Sequence, residues 1–372
     1  MILNKEIIVG MSGGVDSSIS LVILKNQGWR PIGVSLKLPV WKNSQNLLRE
    51  NVCCTKESLD TAKKICQQLK VPHHIFDVRP DFKKKVIDYF ISELKKNKTP
   101  NPCIICNRYL KFKKLFEFAK KVGVKYVATG HYARKREFPI SNFPQHQTVR
   151  GRQFPIYQLL KAKDENKDQT YSLCFLTQEQ LKNIVFPLGN YTKSEVYEMA
   201  KVQGFDIFLK KKESQDFCFV AGKSLPAFLK EKIGQKPGKV INNKGKVLGK
   251  HQGLHFYTIG QRKRLDIVNG PWFVKDFDVK NNNLIVTKNQ KEIEQKEIYL
   301  SPFNFISNIP LKKKLKVMAK VRYRQALSPA TLFPLKKGKL QLIFDKPQRA
   351  VTPGQFAVLY MGEVCLGGGK II

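Results

Sequence analysis

The sequence predicts three units in series: an α/β N-terminal domain on a parallel sheet (residues 1–212), a small central mixed α/β domain (213–281) and a C-terminal β-barrel (282–372). Three observations predict this. Apolar β-branched runs alternate with helical periodicity through the first half of the chain, the pattern of a parallel sheet covered on both faces. Past Lys212 the texture changes to Gly, Lys and short β segments, and from about residue 282 it is nearly pure strand and turn. With 372 residues, 42% of them hydrophobic, the chain has ample apolar side chains for two or three cores.

Residues 6–10 are an apolar run suited to a buried parallel strand, and Ile19, Val22 and Ile23 continue at helical spacing. Between them Ser12-Gly13-Gly14 lets successive N–H groups turn toward one anion at a helix N-terminus. Residues 31–38 predict a second strand, and Leu59, Ala62, Ile65 and Leu69 mark a helix face. A third strand at 71–78, amphipathic helices at 82–94 and 107–122, and a strand at 125–129 ending in Gly130-His131 follow. In such a sheet ligands gather at the strand C-termini, where the Ser12 loop, Leu36 and Gly130 fall. Residues 135–155 form a polar, proline-broken insertion, expected as a flap on the RNA side. A strand resumes at 157–161, and Thr192-Lys193-Ser194-Glu195 reads as a capping box. Barrel strands are expected at 283–287, 316–323, 339–344 and 356–360.

The formal net charge is +38, from 67 basic and 29 acidic residues, which favours a polyanionic partner such as RNA; a generally Lys-rich composition gives the same excess. Lys5 and Glu6 interrupt the N-terminus, and no apolar run is long enough to span a bilayer, so the expectation is a soluble, cytoplasmic chain with no membrane partner. Eight cysteines in that setting argue for thiol chemistry or metal rather than a disulfide scaffold.

Ser12-Gly13-Gly14-Val15-Asp16-Ser17 is neither a Walker loop, lacking Gly-Lys-Ser/Thr, nor a Gly-x-Gly-x-x-Gly fingerprint. It resembles the PP-loop of the ATP pyrophosphatases, an adenine nucleotide alpha hydrolase-like fold. That likeness implies cleavage of ATP between the α and β phosphates, with adenylation of an acceptor oxygen.

The cysteine strings are more specific. Asn101-Pro102-Cys103-Ile104-Ile105-Cys106-Asn107 and Glu213-Ser214-Gln215-Asp216-Phe217-Cys218-Phe219 stand in order with the Ser12 loop, Thr129-Gly130-His131-Tyr132, Lys167-Asp168-Gln169, the segment from Gly189 to Ser194, Thr258-Ile259-Gly260-Gln261-Arg262 and Arg322-Tyr323-Arg324-Gln325. Together they resemble the tRNA-specific 2-thiouridylases over essentially the whole chain. The resemblance implies ATP-dependent replacement of oxygen by sulfur at C2 of the wobble uridine in tRNAs of the Lys, Glu and Gln type. It implies ATP contacts at Gly10, Met11, Ser12, Gly13, Gly14, Val15, Asp16, Ser17, Leu36 and Gly130, with Mg²⁺. It further implies Cys218 as persulfide carrier and Cys106 as nucleophile, Asn101, Pro102 and Cys103 beside the target base, and tRNA contacts at His131, Lys167, Asp168, Gln169, Arg322, Tyr323 and Gln355. It implies that the central domain (213–281) and the barrel help to hold tRNA, and that the partners are the tRNA anticodon stem-loop and a sulfur carrier or cysteine desulfurase. Placed before a helix starting near Asn107, Cys106 is expected to have its thiolate favoured.

The chain departs from that family at three positions. Cys103 stands where many relatives carry Asp, Leu36 where Met is frequent, and Arg264 where a small Gly is usual. Two readings of Cys103 stay open: a bystander or auxiliary thiol, or a ligand with Cys106 and Cys218 of an iron–sulfur cluster. A structural zinc on Cys103 and Cys106 with Cys53-Cys54 is the bland alternative. Cys66, Cys174 and Cys365 read as core, and His73, His74, His251 and His255 as packing or surface. The rival functions are another adenylating enzyme of the same loop class, such as a lysidine synthetase or an amide-forming ligase, and a non-catalytic RNA-binding metal protein.

Overall fold

In the computed structural model, which describes residues 5–44, 46, 56–138, 156–208, 217–221, 223–265 and 267–372, strand β1 (Glu6–Gly10) is the centre of the parallel sheet. Ile7 and Val9 point into one apolar layer and Ile8 into the other, as a two-residue period requires. β1 pairs in parallel with β2 (Arg30–Lys37) on one side, backed by β3 (His73–Asp77), and with β4 (Tyr126–Thr129) on the other. The first layer holds α1 (Val15–Asn26), α2 (Lys56–Gln68) and the helix Lys193–Val202; the second holds helices over 79–95 and 102–121. A set of fully buried β-branched and aromatic side chains thus clamps β1 from both faces.

Both helices of the second layer begin earlier than periodicity indicates, and each contains a π-helical turn, at Lys83–Ile87 and Asn107–Lys111. The second starts at Pro102 rather than near Asn107. Its Asn101 N-cap accepts from the Ile104 N–H at 3.2 Å, and Pro102 occupies a first-turn position that needs no donor. Pro102, Ile104, Ile105 and Cys106 are all buried, so no polar face marks this turn. Cys106 therefore sits one turn inside the helix, beyond the reach of the end charge, and Cys103 takes the first turn instead.

After β4 the chain leaves the sheet. β5 (Arg134–Phe138) and β6 (Ile156–Leu160) form an antiparallel hairpin, so 134–138, expected to open the irregular insertion, is strand. The rest of that expected flap, 139–155, lies outside the described residues. β7 (Ile184–Val185) then returns to the edge of the parallel sheet, giving the order β3-β2-β1-β4-β7.

The middle unit is a four-stranded sheet of β8 (Gly238–Asn242), β9 (Val247–His251), β10 (Phe273–Asp278) and β11 (Asn283–Thr287), ordered β10-β11-β8-β9 over Val240, Leu254, Val274, Leu284 and Val286. β11 was expected in the barrel; it pairs instead in parallel with β8. The barrel comprises β12 (Glu294–Phe305), β13 (Leu315–Lys320), β14 (Ser328–Pro334), β15 (Leu340–Arg349), β16 (Phe356–Met361) and β17 (Val364–Ile371), closed by β12 against β17. Arg322 and Tyr323 fall in the turn after β13, not within a strand. β17 also pairs with β6 through Val364–Leu160 and Cys365–Leu159, so the hairpin sent out by the α/β domain extends the barrel sheet. No helix among the described residues is long and apolar enough to cross a membrane.

Candidate active site

The loop after β1 is held by its neighbours before any ligand arrives. Met11 N–H donates to the Val34 carbonyl at 2.8 Å, and Ser35 Oγ donates to the Met11 carbonyl at 2.9 Å. Gly13 has φ +76°, and a Cβ there would stand 2.0 Å from the Ser58 carbonyl oxygen. Ser17 Oγ donates to the Gly14 carbonyl at 2.9 Å and accepts from the Ser12 N–H at 3.2 Å. Gly14 caps α1 without a side chain, which leaves the first-turn N–H groups for an anion. Gly130 closes the other side: a Cβ on it would lie 2.8 Å from the Ser17 nitrogen. Leu36 is buried near the end of β2, level with Phe76.

Asp16 opens toward two residues to which sequence reasoning assigned no role. Lys193 Nζ lies 2.6 Å from Asp16 Oδ1, and the Tyr132 hydroxyl donates to the same oxygen at 2.9 Å. Lys193 is the first residue of its helix, where the dipole disfavours a cation; the carboxylate and the Tyr197 ring, 5.0 Å away, offset this. That misplaced cation was the available signal. The capping box beside it forms as expected, and the Thr192 N–H, with Lys163 and the Thr192 hydroxyl, holds Glu195 down to about 2.

Cys103 is exposed, Cys106 is 7% exposed, and Cys218 is half-buried. Cys106 belongs to, and Cys218 packs against, the same apolar cluster. Phe217 and Phe219, flanking Cys218, stack with each other at 5.8 Å and both meet Phe90 edge-on, at 5.5 and 5.7 Å. Among the described residues no three His, Cys, Asp or Glu side chains are grouped as a metal requires. Cys103, Cys106 and Cys218 thus form no such metal-ion group, and Cys53 and Cys54 of the zinc alternative lie outside the described residues. Cys66, Cys174 and Cys365 are buried, and burial pushes all three thiols up, Cys66 to about 12.

Several residues expected to touch RNA are engaged within the protein. The Asp168 carboxylate is buried and accepts from the Ala162 N–H at 3.1 Å and the Thr170 hydroxyl at 2.6 Å. This is the clearest departure from expectation, because its oxygens face inward. Gln169 Oε1 accepts from the Tyr132 N–H at 2.9 Å, which links it to the residue that orients Asp16. His131 is buried, pairs with Thr129 Oγ1 at 2.8 Å and stacks on Phe112; burial, with the Lys111 charge, holds it well below the usual histidine range. Arg322 donates to the Ile259 carbonyl at 3.1 Å and to Thr352 Oγ1 at 2.8 Å, tying middle unit to barrel. Lys167 is half-buried, and Tyr323 is exposed beside Tyr171.

All three units meet two residues before the helix cap at Asn101. Thr99 N–H donates to the Pro353 carbonyl at 2.9 Å, and Gln355 Nε2 donates to the Thr99 carbonyl at 3.1 Å. Thr99 Oγ1 lies 3.2 Å from Thr258 Oγ1 of the middle unit.

Residues 5–222 match the model described as "tRNA methyl transferase HUP domain", 226–288 the "tRNA methyl transferase PRC-barrel domain", and 295–371 the "Aminomethyltransferase beta-barrel domain". Among curated relatives, the tRNA-specific 2-thiouridylase MnmA of Clostridioides difficile is 40% identical over 374 residues, covering 100% of this chain and 99% of that protein. The tRNA-specific 2-thiouridylase MnmA 1 of Thermoanaerobacter pseudethanolicus is 42% identical over 371 residues, covering 99% of this chain and 98% of its own. Among solved structures, a 4-thiouridine synthetase–RNA complex with bound ATP aligns over 62% of this chain and 50% of its own, at 16% identity and a TM-score of 0.34.

Proposed function

The chain belongs to the tRNA-specific 2-thiouridylase family and is a sulfurtransferase of tRNA, and from that premise we propose how its own residues carry the reaction. Family membership sets aside the lysidine-synthetase, ligase and non-catalytic readings. The N-terminal domain is an ATP-binding, adenylating fold.

A uracil C2 carbonyl is a weak electrophile with a poor leaving group, so its oxygen is first converted to an AMP ester. The backbone from Gly10 to Ser17 holds the departing pyrophosphate, and the N–H groups of the first turn of α1 stabilise the charge that develops on it. Lys193, fixed by Asp16 and Tyr132, brings a cation to the same edge. Mg²⁺ bound with nucleotide takes one or two carboxylates plus phosphate oxygens, and Asp16 fits that modest demand.

Sulfur then comes from Cys218. The terminal sulfur of a Cys218 persulfide adds to C2, and the C2–O bond breaks to release AMP. Cys106 attacks Cys218 Sγ, the S–S bond to the transferred sulfur breaks, and its electron pair forms the thiocarbonyl of 2-thiouridine. The Cys106–Cys218 disulfide that results is reduced by an external dithiol. In a variant of this route Cys106 first releases hydrosulfide, which adds to C2. The observation that supports the relay is that Cys106 belongs to, and Cys218 packs against, one apolar cluster that also holds Phe90 and Phe219.

The target is the wobble uridine of Lys-, Glu- and Gln-type tRNAs. An unpaired loop base is unstacked at less expense than a duplex base and is placed beside Asn101, Pro102 and Cys103. A cytoplasmic sulfur carrier or cysteine desulfurase loads Cys218. The test is a mercury-gel shift of tRNA after incubation with ATP, Mg²⁺ and a persulfide source. Loss of the shift with Cys106→Ser and with Cys218→Ser, without sensitivity to iron chelation, is the expected result; loss on chelation overturns the relay.

A further inference from the structure

Glu93 is a carboxylate placed unfavourably twice over. It is 5% exposed, and it stands in the last turn of the helix that ends at Lys95, where the dipole favours cations. Its partner is Lys370 of β17, 277 positions away, whose Nζ lies 2.5 Å from Glu93 Oε2. Lys370 Nζ also lies 5.5 Å from the centroid of the Tyr89 ring, one turn earlier on the same helix, and Lys96 Nζ stands 3.8 Å from the other carboxylate oxygen.

The backbone of Glu93 acts on the same stretch. Its carbonyl accepts from the Lys96 and Lys98 N–H groups, at 3.1 and 3.0 Å, and Asn97 takes φ +56°, which turns the chain toward Thr99. There a corner of the barrel lies against it. Gly354 has φ +92°, and a Cβ on it would stand 3.0 Å from Lys98 Cβ and 3.1 Å from the Thr99 nitrogen. That corner is tied to Lys370: Gly354 N–H donates to the Ile371 carbonyl at 3.0 Å, Ile371 N–H donates to the Gln355 carbonyl at 2.9 Å, and Lys370 is the register partner of Phe356. One barrel corner therefore grips residues 93–99 at both ends, by Lys370 on Glu93 and by Pro353 and Gln355 on Thr99. Thr99 stands two residues before the Asn101 cap of the helix that carries Cys106.

An apolar contact at Glu93 would stabilise without fixing a direction, whereas a charge-assisted hydrogen bond sets both distance and angle. We propose that Glu93 and Lys370 are positioning residues for sulfur transfer: their pair latches the barrel onto the end of one helix and so sets where the next, with Cys106, begins. The inference rests on the relay reading of Cys106 and deepens it by giving the barrel a part in that step.

The test compares full-length wild type with Lys370→Arg and with the double variant Glu93→Leu/Lys370→Met, measuring kcat for thiolation, the KM for ATP and thermal melting. The double variant replaces the pair by apolar side chains of similar size and strands no buried charge, so it should melt as wild type does. Its kcat should nonetheless fall about 10-fold with the KM for ATP unchanged, since a misplacement of about 1 Å can cost ~10²-fold. Lys370→Arg keeps the charge-assisted bond and should keep the rate. A double variant that thiolates at the wild-type rate overturns the proposal. So does one that fails to fold, or whose rate falls only in step with its melting temperature, because the pair is then structural. Thiolation by the full chain that survives Cys106→Ser would instead sink the relay reading.

Discussion

Lys193 Nζ and Asp16 Oδ1, 177 positions apart in sequence, lie 2.6 Å apart at the mouth of the loop after β1. The pair joins the first helix of the domain to its last long one, and the Tyr132 hydroxyl, 2.9 Å from the same oxygen, fixes the carboxylate between them. A cation at the start of a helix is unfavourable unless something requires it there, and in the proposed reaction the nucleotide phosphates supply that requirement.

Replacing Lys193 with Met should therefore lower adenylation about 10²-fold, the usual loss when one preorganised charge-stabilising group is removed from a transition state. Pyrophosphate release with saturating tRNA reads this directly. The tRNA Kd should not move, since Lys193 is held at the loop after β1 by Asp16. Unchanged pyrophosphate release would show that the pair is structural.

The two-thiol relay separates adenylation from sulfur transfer. Cys218→Ser and Cys106→Ser should each abolish 2-thiouridine formation while ATP–pyrophosphate exchange persists, because neither side chain lies in the loop. Cys103→Ser should retain thiolation within a few-fold. Its thiol is exposed in the first turn of the helix at 102–121, whereas Cys106 sits one turn deeper in the apolar cluster.

The Thr99–Thr258 contact couples the middle unit to the segment that leads into the helix at 102–121. Thr258→Val removes one neutral hydrogen bond, a net effect of about 1 kcal/mol. The expected signature is a several-fold fall in kcat for thiolation with the KM for ATP unchanged, since the loop after β1 is anchored separately, by the Met11 N–H on the Val34 carbonyl and Ser35 Oγ on the Met11 carbonyl. A change confined to the KM for ATP would contradict this coupling.

Stability should decline on acidification, beginning near the ordinary histidine pKa. Burial lowers the folded-state pKa of His131 well below 6.5, the Lys111 charge lowers it further, and burial also lowers His73, His251 and His255. Below about pH 6.5 the unfolded chain takes up protons that the folded chain refuses, so this stabilisation is complete above that pH and is lost as pH falls toward the folded-state values. His131→Gln should flatten the dependence of melting temperature on pH below about 6.5, and an identical slope in that variant would exclude His131 as a contributor.

Local signals were legible in the chain because their physics is local. The strand–glycine–helix turn around Ser12 needs only neighbouring residues, and the Thr192–Glu195 capping box spans a single turn. The Asn101-Pro102 helix start carried the same kind of signal, but periodicity outweighed it because Cys103-Ile104-Ile105-Cys106 has no polar face. Family likeness added the cysteine pair, which no spacing rule finds when Cys106 and Cys218 stand 112 positions apart.

Tertiary structure alone decided which distant groups meet. The β6 strand reads as a strand in any context, but its pairing with β17 follows from where the barrel edge lies. The same holds for β11, whose alternating apolar residues suit either the barrel or the middle sheet until β8 is in place. Asp168 looks like a surface carboxylate in sequence and becomes a buried acceptor only because Ala162 and Thr170 present donors to it. Backbone periodicity and turn chemistry act over a few residues and so can be read from order alone. The pairing of Asp16 with Lys193, and of Thr99 with both Thr258 and Gln355, depends on how packed layers bring remote segments together.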